Sequence, residues 1–411
     1  MSTRYSLRCR ACGARYPADD RHACEQCLGP LEVLYELDRR GDALRHVIED
    51  GDLSIWRYRP LLPIDDPRDP GRVGWTPLQR ADRLGRRLGL RNLYLKNDTV
   101  NPSFSFKDRV VAVAAQKALA LGYQTIACAS TGNLAGAVAA AAARLGLEAV
   151  VFVPQGIEPA KLSAPSVYGA TVVEVDGTYD DVNRLCALVA EERHWAFVNF
   201  TLRPYYVEGS KTLLFETAEQ LDWRLPDALV IPVASGALFV NTGKAARELV
   251  DAGLVRATRP RLFGAQPLGC DPVASAFDRG DERYAPVRVP RTIAHALAIG
   301  APADGNAVLA LSRASGGSVV AAGDDDIVRA IGTVAEQEGI FVEPAGGVTL
   351  AALARLAESG ALRGDDVVVA YLTGNGFKTP EVVSAPTDRR VRIGAQLGDF
   401  ERAFPQPVEV A

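Results

Sequence analysis

The chain has 411 residues, 48% of them hydrophobic, which is enough for a large core and more than one ordinary domain holds. The 46 basic and 50 acidic residues give a formal net charge of −4, and because the basic residues are scattered, the composition excludes a nucleic-acid-binding protein. No apolar stretch is long enough to span a bilayer, and the N-terminus has no apolar signal segment, so we expect a cytoplasmic protein without membrane contact.

Two Cys-x-x-Cys pairs open the chain, Cys9 with Cys12 and Cys24 with Cys27. In a cytoplasmic chain such pairs indicate a metal site rather than disulfides, and four thiolates close a tetrahedral zinc site. We therefore predict a zinc-ribbon-like segment over residues 1–37 with a structural zinc ion; the alternative is a degenerate ribbon that has lost its ion. The other cysteines are predicted to be buried small hydrophobic residues: Cys128, Cys186 and Cys270.

After this segment we expect a helix over Leu37–Glu49 and a Pro-rich connection, and from residue 76 strands alternate with helices. The predicted strands are Asn92–Leu95, Thr125–Ala129, Ala149–Val153, Thr171–Val175, Phe197–Asn199, Leu229–Val233, Arg261–Ala265, Ser318–Ala321 and Val367–Leu372. The predicted helices are Phe106–Leu121, Leu134–Leu145, Pro159–Tyr168, Tyr179–Glu192, Tyr205–Leu221, Leu238–Ala252, Asp324–Glu338 and Val348–Glu358. Short apolar strands joined by helices predict an α/β fold with parallel sheets covered on both faces.

Ligands of such folds bind at the carboxyl ends of strands, so the chemically active residues are expected there. The segment Asn101-Pro-Ser-Phe-Ser-Phe-Lys-Asp-Arg places Lys107 at the start of a helix. The positive potential of a helix N-terminus and desolvation both disfavour a protonated amine, and an unprotonated amine is what Schiff-base chemistry requires. Taken alone, however, Lys107 is more typical of an ordinary exposed lysine.

Three further loops follow strands. Ser130-Thr-Gly-Asn offers hydroxyl and backbone N–H groups suited to a carboxylate, although it also fits a simple helix cap. Val233-Ala-Ser-Gly-Ala-Leu offers a run of N–H donors suited to a phosphate. In Leu372-Thr-Gly-Asn-Gly, Thr373 can hydrogen-bond an acceptor such as a ring nitrogen, or the segment is only a Gly-rich turn.

The order and spacing of these loops resemble those of fold-type-II pyridoxal-phosphate (PLP) enzymes, in particular the threonine synthase family. The resemblance runs from Cys9 to about Pro380 and rests on the N-terminal cysteine pairs and on these segments: Asn101–Arg109, Ser130–Asn133, Phe200–Thr212, Gly339–Thr349 and Thr373–Thr379. It implies a two-lobed fold like that of the tryptophan synthase β chain. We expect a large PLP-binding lobe from 38–110 and 205–385, a small lobe over 111–204 and a tail over 386–411.

The resemblance also implies residue roles. Lys107 is implied as the Schiff-base lysine and proton carrier, Asn133 as the partner of the cofactor's phenolic oxygen, and Thr373 as the partner of its pyridine nitrogen. The implied cofactor-phosphate loop consists of Ala234, Ser235, Gly236, Ala237 and Leu238. The implied substrate-binding residues are Ser130 and Thr131 for the carboxylate, and Ser103, Thr201, Arg203 and Lys211 for the distal phosphate side. A homodimer is the expected assembly.

The activity implied is that of a PLP-dependent lyase, which eliminates phosphate from O-phosphohomoserine and adds water to give L-threonine. Several residues near the motifs are less polar than is typical of the family: Phe104, Thr201, Ala296 and Ala301. These departures indicate either ordinary drift or a specialised paralogue that acts on another amino acid, for example in secondary metabolism.

Other PLP-dependent reactions and a non-catalytic role remain as alternatives to this activity. One is a cysteate-synthase-like replacement on O-phosphoserine. Another is a serine/threonine dehydratase-like lyase, which the Arg203 and Lys211 pair disfavours because a non-phosphorylated substrate needs no such clamp. A non-catalytic regulator is disfavoured by the presence of Lys107, Asn133 and Thr373. The four histidines form no Ser/His/Asp arrangement, so hydrolase chemistry has no support.

Overall fold

The computed structural model describes residues 4–157, 159–383 and 390–405. The strands are β1 Arg4–Cys9, β2 Arg15–Tyr16, β3 Leu31–Glu36, β4 Leu78–Arg80, β5 Asn92–Asn97, β6 Thr125–Ala129, β7 Glu148–Pro154, β8 Thr171–Val175, β9 Ala196–Phe197, β10 Ala228–Pro232, β11 Arg261–Pro267, β12 Val319–Ala322 and β13 Val367–Leu372. The helices are α1 Asp42–Glu49, α2 Asp82–Leu88, α3 Lys107–Ala120, α4 Asn133–Leu145, α5 Pro159–Val167, α6 Tyr179–Glu192, α7 Arg203–Tyr206, α8 Lys211–Gln220, α9 Ala237–Asp251, α10 Pro272–Asp278, α11 Gly305–Ala314, α12 Asp324–Glu338, α13 Pro344–Glu358 and α14 Leu397–Ala403.

The N-terminal ribbon, residues 4–36, is an antiparallel sheet of order β2-β1-β3. Alternation along β1 and β3 turns Leu7 and Val33 inward, and both are fully buried. These side chains belong to the same hydrophobic cluster as the interior of the rest of the chain. The ribbon is therefore packed onto the main body and is not a separate module.

The larger of the two remaining sheets has the order β12-β11-β10-β13-β5-β4. Its strands are parallel except for β4, which pairs antiparallel with β5 at one edge. The central strands β10 and β13 are almost completely buried, as expected for a parallel sheet covered by helices on both faces. A second, fully parallel sheet of order β8-β7-β6-β9 lies within residues 125–197.

This arrangement brings the loops at the carboxyl ends of the strands together. In the large sheet β5, β13 and β10 are parallel neighbours, so the segments that follow Asn97, Pro232 and Leu372 leave the same edge. In the second sheet β6 and β9 are parallel neighbours, so the segments after Ala129 and Phe197 also leave one edge. The topology therefore places the predicted chemistry-bearing loops in two clusters at strand ends.

The α/β fold with parallel sheets is confirmed, and Thr125–Ala129, Thr171–Val175 and Val367–Leu372 have the predicted bounds. The helix expected from Leu37 begins only at Asp42, because Gly41 adopts φ 56°, which the helix cannot include. The helix predicted over Tyr205–Leu221 is divided into α7, a 3-10 turn over Val207–Ser210, and α8. A close approach to α3 accompanies this division, since a Cβ on Gly209 would lie 2.4 Å from the Arg109 carbonyl oxygen.

The three isolated cysteines are buried, as predicted: Cys128, Cys186 and Cys270. Among the residues that the structure describes, no helix is long and apolar enough to cross a membrane. Of the expected tail over 386–411, residues 386–389 and 406–411 lie outside the described residues, and the part between them contains α14.

Candidate active site

Lys107 is the first residue of α3 and lies next to the end of β13. The N–H of Phe106 donates to the carbonyl oxygen of Thr373 at 2.8 Å, and an isolated bridge pairs Ser105 with Gly374. The Lys107 Nζ atom lies 3.3 Å from the hydroxyl oxygen of Tyr206 in α7. The structure therefore places the predicted cofactor lysine beside Thr373 and adds Tyr206, a residue to which the sequence analysis gave no role.

Asn133 begins α4 and faces Glu343 and Lys378. Its Nδ2 donates to both Glu343 carboxylate oxygens, at 2.9 and 3.0 Å, and its Oδ1 accepts from Lys378 Nζ at 2.7 Å. The N–H of Glu343 donates to the Gly374 oxygen at 3.0 Å, which ties this acid to the same strand end as Thr373. Neither Glu343 nor Lys378 was predicted to have a role, although both lie inside motifs that carry the family resemblance.

Burial perturbs both charged partners of Asn133. It raises the pKa of Glu343, although the Asn133 amide and the charges of Lys378 and Lys107 act in the opposite direction. It lowers the pKa of Lys378, against the opposing charges of Glu343 and Asp108. A carboxyl and an amine shifted toward their neutral forms and joined through one amide are typical of a functional site.

The loop predicted to hold a phosphate joins β10 to α9. Gly236 adopts φ 90°, in the region that favours glycine, and a Cβ there would lie 2.9 Å from the Val308 Cγ2 and 3.0 Å from the Asp304 Cβ. The N–H groups of the first turn of α9 have no intrahelical acceptors, and the positive end of the helix dipole favours an anion there. The loop therefore fits the phosphate of a cofactor.

The loop predicted to hold the substrate carboxylate, residues 130–132, joins β6 to α4. The Ser130 Oγ accepts from the N–H of Gly132 at 3.3 Å, and Ser130 and Thr131 are both partly exposed. Since Asn133 follows directly and bonds to Glu343, this loop lies near the cluster formed by the large sheet. The structure thus brings together the loops predicted to bind the cofactor and the substrate carboxylate.

The residues predicted to bind the distal end of the substrate differ in their burial and in their contacts. The backbone N–H of Ser103 donates to the Asp108 carboxylate at 2.8 Å, and burial raises the pKa of that carboxyl. The Thr201 hydroxyl donates to the carbonyl oxygen of Phe197 at 3.1 Å. Both side chains lie in the loops that reach the site, but each of these segments is also held by a local hydrogen bond.

Lys211 corrects the prediction that this residue binds a substrate phosphate. Its side chain is fully buried, and its Nζ lies 2.6 Å from Glu208, 2.6 Å from Glu248 and 3.0 Å from the carbonyl oxygen of Leu61. An ammonium group has three N–H donors, and all of them are used inside the protein. Burying a lysine without these carboxylates would be costly, so the role of Lys211 is structural.

Arg203 is partly exposed and is paired with a carboxylate that the sequence analysis did not identify. Its Nη2 lies 2.6 Å from one Asp304 oxygen, and the Nη2 of Arg10 from the ribbon lies 2.6 Å from the other. The Asp304 side chain is only 4% exposed, and its backbone N–H donates to the carbonyl oxygen of Ser235 at 2.9 Å. Two guanidinium groups and one carboxylate leave a net positive charge beside the phosphate loop.

The four N-terminal cysteines converge in the ribbon. Their sulfur atoms all lie within 4.8 Å of one another, with 3.5 Å between Cys9 and Cys27 and 3.5 Å between Cys12 and Cys24. Tetrahedral zinc with bonds of about 2.3 Å would place sulfur atoms ~3.8 Å apart. A Cβ on Gly29 would lie 2.9 Å from the Cys9 sulfur, so glycine permits this approach. The donor set fits a closed metal site.

The thiol of Cys24 is the most perturbed toward its metal-binding form. Its sulfur lies 3.1 Å from the hydroxyl oxygen of Tyr16, and this hydrogen bond lowers the pKa of Cys24 to about 6. Thiolate is the form that binds metal ions, so this partner supports binding at neutral pH.

Comparison with known proteins agrees with this arrangement. The chain belongs to the family of pyridoxal-phosphate dependent enzymes, whose model matches residues 70–374. The solved structure of maize serine racemase, 21% identical, superposes with a TM-score of 0.64 over 82% of this chain and 94% of that one, which supports the fold-type-II architecture. The family therefore implies pyridoxal phosphate as the cofactor of this chain.

Within that family the chain is a lyase similar to threonine synthases. It is 34% identical to the threonine synthase of Methanocaldococcus jannaschii over 97% of this chain and 99% of that one. It is 35% identical to the threonine synthase of Methanosarcina acetivorans over 97% of this chain and 98% of the relative. The similarity thus includes the N-terminal ribbon as well as both sheets.

Proposed function

We propose that this lyase acts on O-phosphohomoserine, releases inorganic phosphate from Cγ and adds water at Cβ to give L-threonine. The relatives named threonine synthase support this reaction, since they match nearly the whole chain at 34% and 35% identity. The atoms balance: the Cγ–O bond to phosphate breaks, Cβ loses one proton and Cγ gains one, water adds its hydroxyl group at Cβ, and the remaining proton of that water leaves with the phosphate.

The proposed roles are those that the family resemblance implies for the residues at the strand ends. Lys107 holds the cofactor and moves protons at the substrate carbons, Asn133 binds the phenolic oxygen, and Thr373 binds the ring nitrogen. The loop Ala234–Leu238 binds the cofactor phosphate through its N–H groups, as a helix N-terminus does for anions. When bound, pyridoxal phosphate withdraws electrons from the substrate, which makes loss of the α-proton easier. Ser130 and Thr131 bind the substrate carboxylate.

The observation that carries the phosphorylated-substrate proposal is the net positive charge beside the phosphate loop. Arg203 and Arg10 share the single carboxylate of Asp304, each at 2.6 Å. A guanidinium group that is partly exposed retains free N–H donors for a second anion. These donors can bind a phosphate at the distal end of a substrate, a group that an unphosphorylated amino acid does not offer, so the charge favours a phosphorylated substrate.

The experiment is to measure release of inorganic phosphate by the purified, PLP-loaded protein from O-phosphohomoserine, with formation of threonine as the second readout. L-serine and L-threonine serve as unphosphorylated controls, read by the oxo acid they would yield. We expect equimolar phosphate and threonine. Background phosphate release by cofactor-loaded protein would reject the proposal, and oxo acid from the controls would favour a dehydratase.

A second candidate is replacement on O-phosphoserine, as in cysteate synthases. It is favoured by apolar residues in the segments that approach the site: Phe104, which is 54% exposed, and Ala296 and Ala301, which are exposed in the stretch that leads to Asp304. A shorter substrate with fewer polar contacts suits such residues. O-phosphoserine with sulfite or sulfide, assayed beside O-phosphohomoserine, separates the two by the ratio of kcat/KM values.

We also propose that Cys9, Cys12, Cys24 and Cys27 hold one structural zinc ion. Four thiolates leave no open position for a substrate, so the ion stabilises the ribbon and takes no part in the reaction. Metal analysis should give one zinc ion per chain, and Cys24→Ser should lose it, while Cys128→Ser in the second sheet should keep it. A wild-type protein without bound metal after zinc reconstitution would reject this proposal.

A further inference from the structure

Arg10 occupies the turn between the first two cysteines. The Cys9 sulfur accepts from the N–H groups of Ala11 at 3.3 Å and Cys12 at 3.5 Å, and the N–H of Arg10 donates to the carbonyl oxygen of Pro30 at 3.0 Å. These contacts fix the backbone of Arg10 within the cysteine turn. Its side chain leaves the ribbon and reaches Asp304, 294 positions further along the chain.

Asp304 is the point at which three parts of the molecule meet. One carboxylate oxygen binds Arg10, the other binds Arg203, and the backbone N–H binds the carbonyl oxygen of Ser235 in the phosphate loop. The Cβ of Asp304 also fills the space beside Gly236 that a side chain there would need. A displacement of Asp304 would therefore change the positions of both the Arg203 side chain and the phosphate loop.

A second contact joins the ribbon to the helix that follows the same loop. Lys244 in α9 donates to the carbonyl oxygen of Val33 in β3 at 2.7 Å, and the Tyr35 hydroxyl donates to Glu208 at 2.5 Å. Glu208 in turn lies 2.5 Å from Lys244. The ribbon is thus joined to the phosphate-binding element in two places: through Asp304 at its loop, and directly at Lys244, two turns into its helix.

We propose that the ribbon contributes to cofactor binding in the active site. Arg10 and Asp304 act as positioning residues, which link metal occupancy of the four cysteines to the affinity for pyridoxal phosphate. A filled metal site fixes the turn that carries Arg10, and Arg10 holds Asp304 against the phosphate loop. By thermodynamic reciprocity, bound cofactor must then strengthen metal binding by the same factor. The inference uses the proposed zinc site and cofactor, but not the identity of the amino-acid substrate.

The test measures this linkage without any turnover. Zinc affinity is determined by competition with a chromogenic chelator in the absence and presence of saturating PLP, and PLP affinity is determined by absorbance titration of zinc-loaded and zinc-stripped protein. We expect each ligand to raise the affinity for the other by roughly 5-fold or more in the wild-type chain. Arg10→Ala and Asp304→Asn should each reduce this factor to about 1 while both ligands still bind.

Arg8→Ala is the matched control. Arg8 lies on the same strand as the cysteine turn, but its partner is Glu32 inside the ribbon, at 2.5 Å, so its loss should leave the linkage at the wild-type value. Circular dichroism confirms that each variant is folded.

Independent zinc and PLP affinities in the wild-type protein would overturn the proposal, as would equal linkage in the Arg10 and Arg8 variants or a chain that takes up no zinc. If phosphate release from O-phosphohomoserine fails but the linkage is present, only the proposed substrate is rejected.

Discussion

The Nζ atom of Lys107 lies 3.3 Å from the hydroxyl oxygen of Tyr206, so the lysine proposed to hold the cofactor has a phenol as its polar neighbour. Tyr206 belongs to α7, a short helix that is held from outside by the ribbon, since the hydroxyl of the adjacent Tyr205 donates to the carbonyl oxygen of Asp19 at 2.6 Å. The phenol is thus held where it can orient the amine during proton transfer.

Removal of the Tyr206 hydroxyl tests this role. Tyr206→Phe should lower kcat about 2- to 10-fold, the factor that corresponds to loss of one hydrogen bond worth ~0.5–1.5 kcal/mol, without loss of bound PLP. Steady-state kinetics and the cofactor absorbance of the purified variant give the two readouts. Tyr168→Phe, at an exposed position after α5, is the control; equal kcat values in Tyr206→Phe and wild type would exclude a role for the phenol.

Arg203 should contribute to substrate binding rather than to the cofactor. Arg203→Met should raise KM for the phosphorylated substrate roughly 10- to 100-fold, because charge-assisted hydrogen bonds contribute about 1.5–3 kcal/mol, while kcat changes little. Michaelis–Menten kinetics with O-phosphohomoserine and O-phosphoserine measure the change. An unaltered KM for both substrates would remove Arg203 from the distal phosphate site.

Lys211 provides the contrasting case of a buried structural lysine. Lys211→Met leaves Glu208 and Glu248 with fewer cationic partners inside the protein, and breaking a buried ion pair costs about 3–5 kcal/mol. We expect a marked fall in the melting temperature and no specific change in KM for the protein that remains folded. A raised KM at wild-type stability would restore Lys211 as a phosphate ligand.

A buried ion cluster next to the Lys107 helix predicts a defined pH dependence. Burial alone would raise the pKa of Glu216, but the charges of Arg109 and Lys96 hold it at about 2, below the ordinary 4.5. Because the pKa is lower in the folded state, Glu216 stabilises the fold above pH 4.5, and this contribution is lost as the pH falls through about 2.

Glu216→Gln should therefore destabilise the protein by about 3–5 kcal/mol at pH 7, since it leaves two buried cations with one fewer anion. The difference from wild type should shrink as the pH is lowered below 4.5 toward 2, as followed by thermal or urea unfolding. Glu25→Gln, at an exposed ribbon position, should be neutral. A difference independent of pH would contradict the assigned charge state of Glu216.

The phosphate loop depends on the absence of a side chain at Gly236. Gly236→Ala combines an unfavourable φ of 90° with a Cβ 2.9 Å from Val308, so we expect PLP to bind about 10-fold or more weakly. Gly332→Ala in α12 is the control, because a Cβ there meets nothing within 4 Å and alanine favours a helix. Equal PLP affinity in the two variants would show that the loop tolerates a side chain.

Local sequence signals predicted the elements and the loops at the strand ends. Lys107, Asn133 and Thr373 each follow an apolar strand directly or open a helix, so their position required only periodicity and the rule on parallel strands. Asp304 was missed because it lies in a stretch without strong periodicity, 101 residues from Arg203 and 294 from Arg10. Lys211 was assigned wrongly because tertiary packing buries it, although Glu208 three residues earlier offered a signal for an ion pair.

The central claim is that Lys107 forms the covalent link to pyridoxal phosphate. The most direct measurement is borohydride reduction of the PLP-loaded protein, followed by proteolysis and mass spectrometry of the modified peptide. We predict one pyridoxyl adduct per chain, on Lys107, and loss of both the adduct and the visible absorption band in Lys107→Ala. An adduct on another lysine such as Lys378, or an unchanged band in Lys107→Ala, would contradict this account of the site.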